Sequence, residues 1–93
     1  MGGRERVRRR VIVSGEVQGV FFRDSCQRQA ESAGVDGWVR NRGDGKVEAA
    51  FEGPPDAVQA MVTWCRQGPS RAEVRDVEVV DEEPSGETGF RVR

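Results

Sequence analysis

The order in which hydrophobic periodicity changes along this chain constrains its fold more than any other feature of the sequence. Apolar residues alternate as in a β-strand, or recur at helical spacing, in the order strand, helix, strand, strand, helix, strand. The signal Asp44-Gly45 predicts a hairpin between the second and third strands, and a change of phase near Asp76 predicts a bulge in the fourth. The pattern predicts strands over residues 7–14, 35–41, 46–52, 72–81 and a short 90–93, and helices over 22–33 and 56–67.

This order of elements is typical of the α+β class and of the ferredoxin-like β-α-β-β-α-β sandwich. We therefore expect one domain over residues 1–93, with an antiparallel sheet and two helices on one face. Because crossover connections are right-handed, strands one and two should be parallel, with strand three between them. The loop Gly15–Gly19, which is expected to end strand one, and Asn41 then lie at the same sheet edge, so two distant segments should form one site.

Composition excludes several classes of protein. Charged residues make up 33% of the chain and hydrophobic residues 35%, which is typical of a folded domain and not of a disordered one. No apolar run approaches the roughly 18 residues that a membrane helix needs, and the N-terminal residues lack the apolar stretch of a signal peptide. We therefore expect a cytoplasmic protein with no membrane partner.

The chain offers few metal-binding or nucleophilic side chains. Histidine is absent, which excludes catalysis by a Ser–His or Cys–His pair. The two cysteines, Cys26 and Cys65, form no C-x-x-C motif, so a zinc site is not expected. Both cysteines lie at apolar positions of predicted helices, and we expect them to be buried, reduced thiols.

Charge is distributed unevenly, although the formal net charge is only −1. Residues 1–10 are rich in arginine, and residues 73–87 are mostly acidic. A basic arm of this kind could contact nucleic acid. A solvated strand end is the interpretation that we prefer, and no nucleic-acid partner is expected.

The segment from Gly15 to Arg23 joins the first strand to the first helix and carries the features of an anion site. Helix N-termini expose unpaired N–H groups and a partial positive charge, and glycines allow successive amides to turn towards one anion. Arg23 falls in the first helical turn, where its planar guanidinium matches phosphate oxygens. The segment matches no nucleotide-binding motif. The alternative is a glycine turn beside a surface arginine.

Two stretches of the sequence resemble the two signatures of the acylphosphatase family. The first stretch is Gly15-x-Val17-Gln18-Gly19-Val20-x-Phe22-Arg23. The second stretch is Gly37-Trp38-Val39-Arg40-Asn41-x-x-x-Gly45-x-Val47, running on to Gly53. The resemblance extends over essentially the whole chain, and two long signatures in the right order are highly specific.

The resemblance implies an activity and a site. It implies hydrolysis of acyl phosphates to a carboxylate and inorganic phosphate, with Arg23 and Asn41 as catalytic residues. Asn41 would hold the attacking water. Neither a metal nor a cofactor is implied, phosphate is expected to inhibit as the product, and a monomer is expected. The implied phosphate-binding residues, mainly through their backbone amides, are Gln18, Gly19, Val20, Phe21, Phe22 and Arg23.

Elementary chemistry is consistent with this implication. An acyl phosphate expels a carboxylate, whose acid has a pKa of about 4, so the leaving group needs no protonation. Phosphoryl transfer passes through a loose transition state, and positioning with charge stabilisation carries most of the catalysis. A site without histidine, built from an arginine and an asparagine, suits such a substrate. The substrate phosphate itself is expected to accept the proton of the water.

Three other interpretations of the same sequence remain open at this point. One is an RNA-binding module, since a familiar RNA-binding class shares this order of elements. It needs exposed aromatic residues on the strands, and the phase of Phe51 places that ring on the helix-covered face. The second is a ligand-binding domain like those of larger hydrogenase-maturation proteins that handle carbamoyl phosphate. The third is an interaction domain without catalysis.

Overall fold

The computed structural model describes residues 5–93 of the chain. The predicted order of elements is confirmed, with boundaries that differ by one or two residues. The strands are β1 Val7–Glu16, β2 Asp36–Asn41, β3 Val47–Gly53, β4 Glu73–Glu82 and β5 Phe90–Val92, and the helices are α1 Phe22–Ala33 and α2 Pro55–Gln67.

The five strands form one sheet in the order β4-β1-β3-β2-β5. Strand β3 pairs antiparallel with both β1 and β2, so β1 and β2 are parallel to one another, as predicted. The α+β ferredoxin-like arrangement is therefore confirmed. One detail of the prediction was wrong, because β5 pairs parallel with β2 and makes the sheet mixed. The segment after β4 reverses direction and reaches the opposite edge of the sheet, where β5 runs beside β2 in the same sense.

The core lies between the two helices and one face of the sheet. The aromatic rings of Phe51 and Phe90 stack there with centroids 5.8 Å apart, which confirms that Phe51 faces the helices. Cys26 and Cys65 are buried and unpaired, as predicted. Burial raises the pKa of the Cys26 thiol well above its usual range, and its neighbour Cys65 contributes in the same direction.

Strand β1 is longer than the sequence predicted. The prediction ended it before Gly15, but the strand continues through Glu16 and pairs with β4. A bulge accompanies this extension, since Gly15 pairs with Val74 while Ser14 pairs with Asp76, which confirms the predicted irregularity. Gly15 has a φ of 128°, and a Cβ there would collide with the carbonyl oxygen of Glu73. Gly15 therefore allows two strands to approach closely, and the loop itself begins after Glu16.

The face of the sheet away from the helices carries a layer of arginines and carboxylates. Arg8 contacts Glu52 at 3.1 Å and Glu82 at 3.0 Å, and Arg10 contacts Glu82 at 2.7 Å. The arginine-rich arm and the acidic segment thus neutralise one another, so the described part of the arm is ion-paired and is not the freely solvated strand end that was expected. Residues 1–4 of that arm lie outside the described part of the chain.

Glu52 is the most confined carboxylate of this face, with no exposed surface. It accepts hydrogen bonds from the backbone N–H groups of Ser85 at 3.0 Å and Gly86 at 2.8 Å, as well as from Arg8. Burial alone would raise the pKa of Glu52, but these donors outweigh burial and lower the pKa from 4.5 to about 2. The segment between β4 and β5 is therefore fastened across the open face by a buried anion.

Neither helix within residues 5–93 is long and apolar enough to cross a membrane. The longer of the two, α2, has 13 residues, whereas a bilayer requires about 20.

We predict that Glu52→Gln lowers the free energy of unfolding by roughly 2–4 kcal/mol at neutral pH, because the buried donors lose their anion. Since the folded-state pKa of Glu52 is depressed, its stabilisation is complete above about pH 4.5 and is lost as the pH falls towards about 2. Denaturant titrations at several pH values should show the two proteins converging in acid. Glu78→Gln, an exposed carboxylate of β4, is the matched control and should change little. Equal effects of the two substitutions would contradict the assigned role of Glu52.

Candidate active site

A cavity of about 330 Å³ opens at the sheet edge where β1 and β2 end. The loop after β1, the first turn of α1, the last residue of β2 and the last residue of β5 contribute to it. Its wall is formed by Val17, Gly19, Phe21, Phe22, Arg23, Asp24, Asn41 and Val92.

The loop that precedes α1 presents backbone amides that have no partner. Within residues 5–93, no backbone or side-chain acceptor is bonded to any N–H group from residue 18 to residue 24, and the first bond of the helix runs from the N–H of Ser25 to the carbonyl of Phe21 at 3.1 Å. No side chain caps this helix N-terminus. Gly19 and Phe21 both adopt positive φ values, of 76° and 63°. For Phe21 this backbone conformation costs about 1–3 kcal/mol, so the loop holds an unfavourable shape with free donors.

Arg23 extends from the first turn of α1 beside these amides. Its side chain is exposed, and it forms no ion pair with any residue of the described chain. A free guanidinium next to unpaired amides at a helix N-terminus is suited to bind an anion with several oxygens. Asp24 also lines the cavity, so the positive charge is local and lies at the loop and Arg23.

Asn41 ends β2 on the same face of the sheet as the core residues Val39 and Val47. Its Oδ1 atom is buried and has no hydrogen-bond partner, and no other buried side-chain atom among residues 5–93 shares this property. An unsatisfied buried acceptor costs about 1–3 kcal/mol. Such an acceptor in a native protein calls for an explanation, and a bound water or a catalytic role is among those known. Asn41 therefore brings a buried acceptor without a protein partner to the wall of the cavity that the loop also lines.

Gln18 fixes the position of the loop relative to Asn41. Its Nε2 atom donates to the carbonyl of Arg42 at 2.8 Å and to the carbonyl of Lys46 at 2.9 Å. Both carbonyls belong to the hairpin that directly follows Asn41. The side chain therefore joins the two segments that form the cavity, which sequence reasoning did not identify.

The structure brings together most of the residues that the sequence singled out. Gly19, Phe21, Phe22, Arg23 and Asn41 all line the cavity. Gln18 and Val20 do not: the Gln18 side chain is bonded to the hairpin, and Val20 packs against the core. Val17, Asp24 and Val92 also line the cavity, but none of them was predicted to be a site residue, although Val17 belongs to the first signature stretch.

The donors of the cavity favour an anion over a cation. Within residues 5–93, no group of three or more His, Cys, Asp or Glu side chains is arranged to hold a metal ion. Backbone amides and a guanidinium supply N–H donors and no metal ligands.

We predict that Gln18→Ala lowers the free energy of unfolding by about 1–2 kcal/mol, because two hydrogen bonds are lost. Affinity for inorganic phosphate should fall roughly fivefold, since part of the binding energy then goes into ordering the loop. Calorimetric titration and denaturant unfolding would measure both. Gln29→Ala, which truncates an exposed glutamine of α1, is the control and should leave phosphate affinity unchanged. If the two variants bind phosphate equally well, the bonds of Gln18 do not organise the cavity.

Comparisons with known proteins agree with the geometry. A family model described as Acylphosphatase matches residues 9–92. A curated acylphosphatase from Rubrobacter xylanophilus is 57% identical over 91 residues, which cover 97% of this chain and 83% of that protein. A curated acylphosphatase from Haloarcula marismortui is 55% identical over 86 residues, which cover 92% of this chain and 94% of that protein. The structure of an acylphosphatase from Coxiella burnetii has a TM-score of 0.91 at 38% identity and covers 95% of this chain and 93% of that one. The chain therefore belongs to the acylphosphatase family.

Proposed function

We propose that this acylphosphatase hydrolyses the carboxyl–phosphate bond of its substrate in the cavity between the α1 loop and Asn41. The amides of residues 18–23 and the guanidinium of Arg23 bind the phosphoryl group, and Asn41 holds the attacking water. The observation that carries the proposal is the unpartnered Oδ1 of Asn41, because Asn41 lines the same cavity as Arg23 and the loop. Within residues 5–93, no protein donor competes with a water hydrogen for this acceptor.

The chemistry follows from the groups that are available. The water oxygen attacks phosphorus, the bond from phosphorus to the acyl oxygen breaks, and the carboxylate leaves with the electron pair. The amides and Arg23 stabilise the charge on the equatorial oxygens, which is the largest demand of a loose phosphoryl transition state. No protonation of the leaving group is required, because a carboxylate is stable at neutral pH.

Asn41 orients the water without removing its proton. Its side-chain amide can accept one hydrogen bond and donate another, but it is not a base at neutral pH. One proton of the water passes to an oxygen of the phosphoryl group and the other stays on the attacking oxygen, so the product is dihydrogen phosphate, which can then lose a proton to solvent. The reaction is then balanced by substrate and water alone, and this supports catalysis without a metal or cofactor.

We also propose that the enzyme acts as a cytoplasmic monomer. The free thiols of Cys26 and Cys65 are consistent with a reducing compartment. The groups with roles in the proposed mechanism, Arg23, Asn41 and the loop before α1, are brought together by the fold of a single chain.

An RNA-binding role is disfavoured by the open face of the sheet. Stacking on bases requires exposed aromatic rings on that face. The aromatic residue there, Trp38, is only 8% exposed, and the guanidinium of Arg93 lies 4.4 Å from the centroid of its ring system. The neighbouring positions carry ion-paired arginines and carboxylates.

The direct test of the proposed function is turnover of acetyl phosphate and benzoyl phosphate by the purified protein, with and without a metal chelator. We expect hydrolysis of both substrates at rates that the chelator does not change. Absence of turnover would refute the activity, and loss of turnover on chelation would refute the metal-free mechanism.

We predict that Arg23→Lys loses most activity and binds inorganic phosphate at least tenfold more weakly. Lysine keeps the charge but lacks the planar fork that contacts two phosphate oxygens. Competitive inhibition by phosphate measures the affinity. The control is Arg28→Lys, an exposed arginine of the same helix outside the cavity, which should behave as wild type. Equal phosphate affinity in the Arg23 variant and in wild type would exclude Arg23 as the anion ligand.

We predict that Asn41→Ala lowers kcat by about 10²–10³, the usual loss for one oriented transition-state contact. Values of kcat and kcat/KM should fall together, with phosphate inhibition unchanged. The free energy of unfolding should stay constant or rise, because the substitution removes a buried acceptor without a partner. Asn41→Asp should fail as well, since its charge repels the phosphate.

Steady-state kinetics and denaturant unfolding of the three proteins separate this role from a structural one. If Asn41 were only a turn residue, Asn41→Ala would lower the free energy of unfolding and leave kcat nearly unchanged. Retention of more than roughly a tenth of wild-type kcat in Asn41→Ala, a smaller loss than one such contact gives, would show that Asn41 does not position the water.

A further inference from the structure

Two exposed apolar side chains line the cavity. Within residues 5–93, Phe21 and Val92 are the most exposed large hydrophobic side chains, with 62% and 37% of their surface accessible. They lie in distant parts of the sequence, one before α1 and the other at the end of β5. Both nevertheless line the same cavity. Exposed apolar groups that converge at a pocket are typical of a binding surface.

Stability does not account for Phe21. It is the one non-glycine residue of the described chain with a positive φ, and an aromatic side chain is unfavourable there. Glycine would supply the same amide without strain. The ring also gains little from folding, because most of its surface stays in water. A strained, exposed aromatic residue that lines a cavity points to contact with a ligand.

The acyl group of a bound substrate would share the cavity with these two residues. If the phosphoryl group is bound by the loop amides, the acyl group attached to it must extend along the remaining wall of the cavity, which includes Phe21 and Val92. The polar donors lie at the loop and at Asn41, whereas Phe21 and Val92 provide the exposed apolar surface. The cavity, at about 330 Å³, is at the small end of the range for ligand sites. It therefore suits a phosphoryl group together with a compact acyl group.

We infer that Phe21 and Val92 form an acyl-binding contact that selects acyl phosphates with an aromatic or branched apolar acyl group. This inference rests on the proposed function, because it requires the phosphoryl group to occupy the loop. The backbone N–H of Phe21 then binds the phosphate, and the ring of Phe21 contacts the acyl group. Val92 reaches the cavity only because β5 pairs parallel with β2 and places Val92 beside Val39.

The test compares kcat/KM for benzoyl phosphate with kcat/KM for acetyl phosphate in wild type and in two variants. Phe21→Gly removes the ring and fits the left-handed backbone, and Val92→Ala shortens the second contact away from the loop. The change in the benzoyl-to-acetyl ratio between proteins cancels the intrinsic reactivity of the two substrates. Val80→Ala, on the opposite face of the sheet, is the matched control for Val92→Ala.

We expect the benzoyl-to-acetyl ratio to fall about fivefold in each variant, somewhat below the usual effect of an enclosed apolar contact because this one is partly exposed. The ratio of Val80→Ala should equal that of wild type, and phosphate inhibition of Val92→Ala should be unchanged. If Val92→Ala and Phe21→Gly both keep the wild-type ratio while all proteins turn over both substrates, the acyl contact is refuted and the proposed function stands. If Phe21→Gly does not fold, the benzoyl-to-acetyl ratio of Val92→Ala tests the acyl contact alone: a fall supports the contact, and the wild-type ratio refutes it. If wild type turns over neither substrate, the proposed function fails, and the acyl contact fails with it.

Discussion

Strand β3 is buried along its whole length, although helices cover only one face of the sheet. On the other face, Glu48 and Glu52 lie beneath a layer of arginines, and the segment between β4 and β5 is bonded to Glu52. Buried carboxylates are costly unless donors surround them, and here backbone amides and guanidinium groups do so. Because β3 pairs with both β1 and β2, its confinement fixes the two strand ends that form the cavity. The site depends on this central strand.

The cavity contrasts with that well-bonded face, since its polar groups are left without partners. Among residues 5–93, the loop amides, the guanidinium of Arg23 and Oδ1 of Asn41 have no protein partner, and Phe21 holds a strained backbone. The strained backbone of Phe21 and the buried, unpartnered oxygen of Asn41 each cost on the order of 1 kcal/mol or more. They persist because the surrounding strands and the bonds of Gln18 hold the loop in place. Such pre-organised donors are what phosphoryl transfer requires.

Much of the fold and of the site could be predicted from the sequence, because local patterns carry them. Alternation and helical spacing identified the seven elements, and the handedness of crossovers brought the loop and Asn41 to one edge. The two signature stretches pointed to Arg23 and Asn41, and both line the cavity. The role of Gly15 was assigned incorrectly, since a glycine that allows two strands to approach resembles a loop glycine in sequence.

Contacts between distant segments could not be predicted. No local pattern shows that three residues are enough for β5 to pair parallel with β2, so Val92 was missed. The bonds of Gln18 to the hairpin and of Glu52 to the β4–β5 segment depend on register, which sequence periodicity does not fix across a sheet. The meeting of the arginine-rich arm with the acidic segment has the same origin.

The central claim is that the free amides before α1 and the side chain of Asn41 together bind the phosphoryl group and the water. A titration of ¹⁵N-labelled protein with inorganic phosphate, followed by amide chemical shifts, tests it most directly. The account predicts saturable shifts of the backbone amides of residues 18–24 and of the Asn41 side-chain amide, with little change at Ser85 and Gly86 on the open face. Saturable shifts on the open face, with the loop and Asn41 unperturbed, would contradict it.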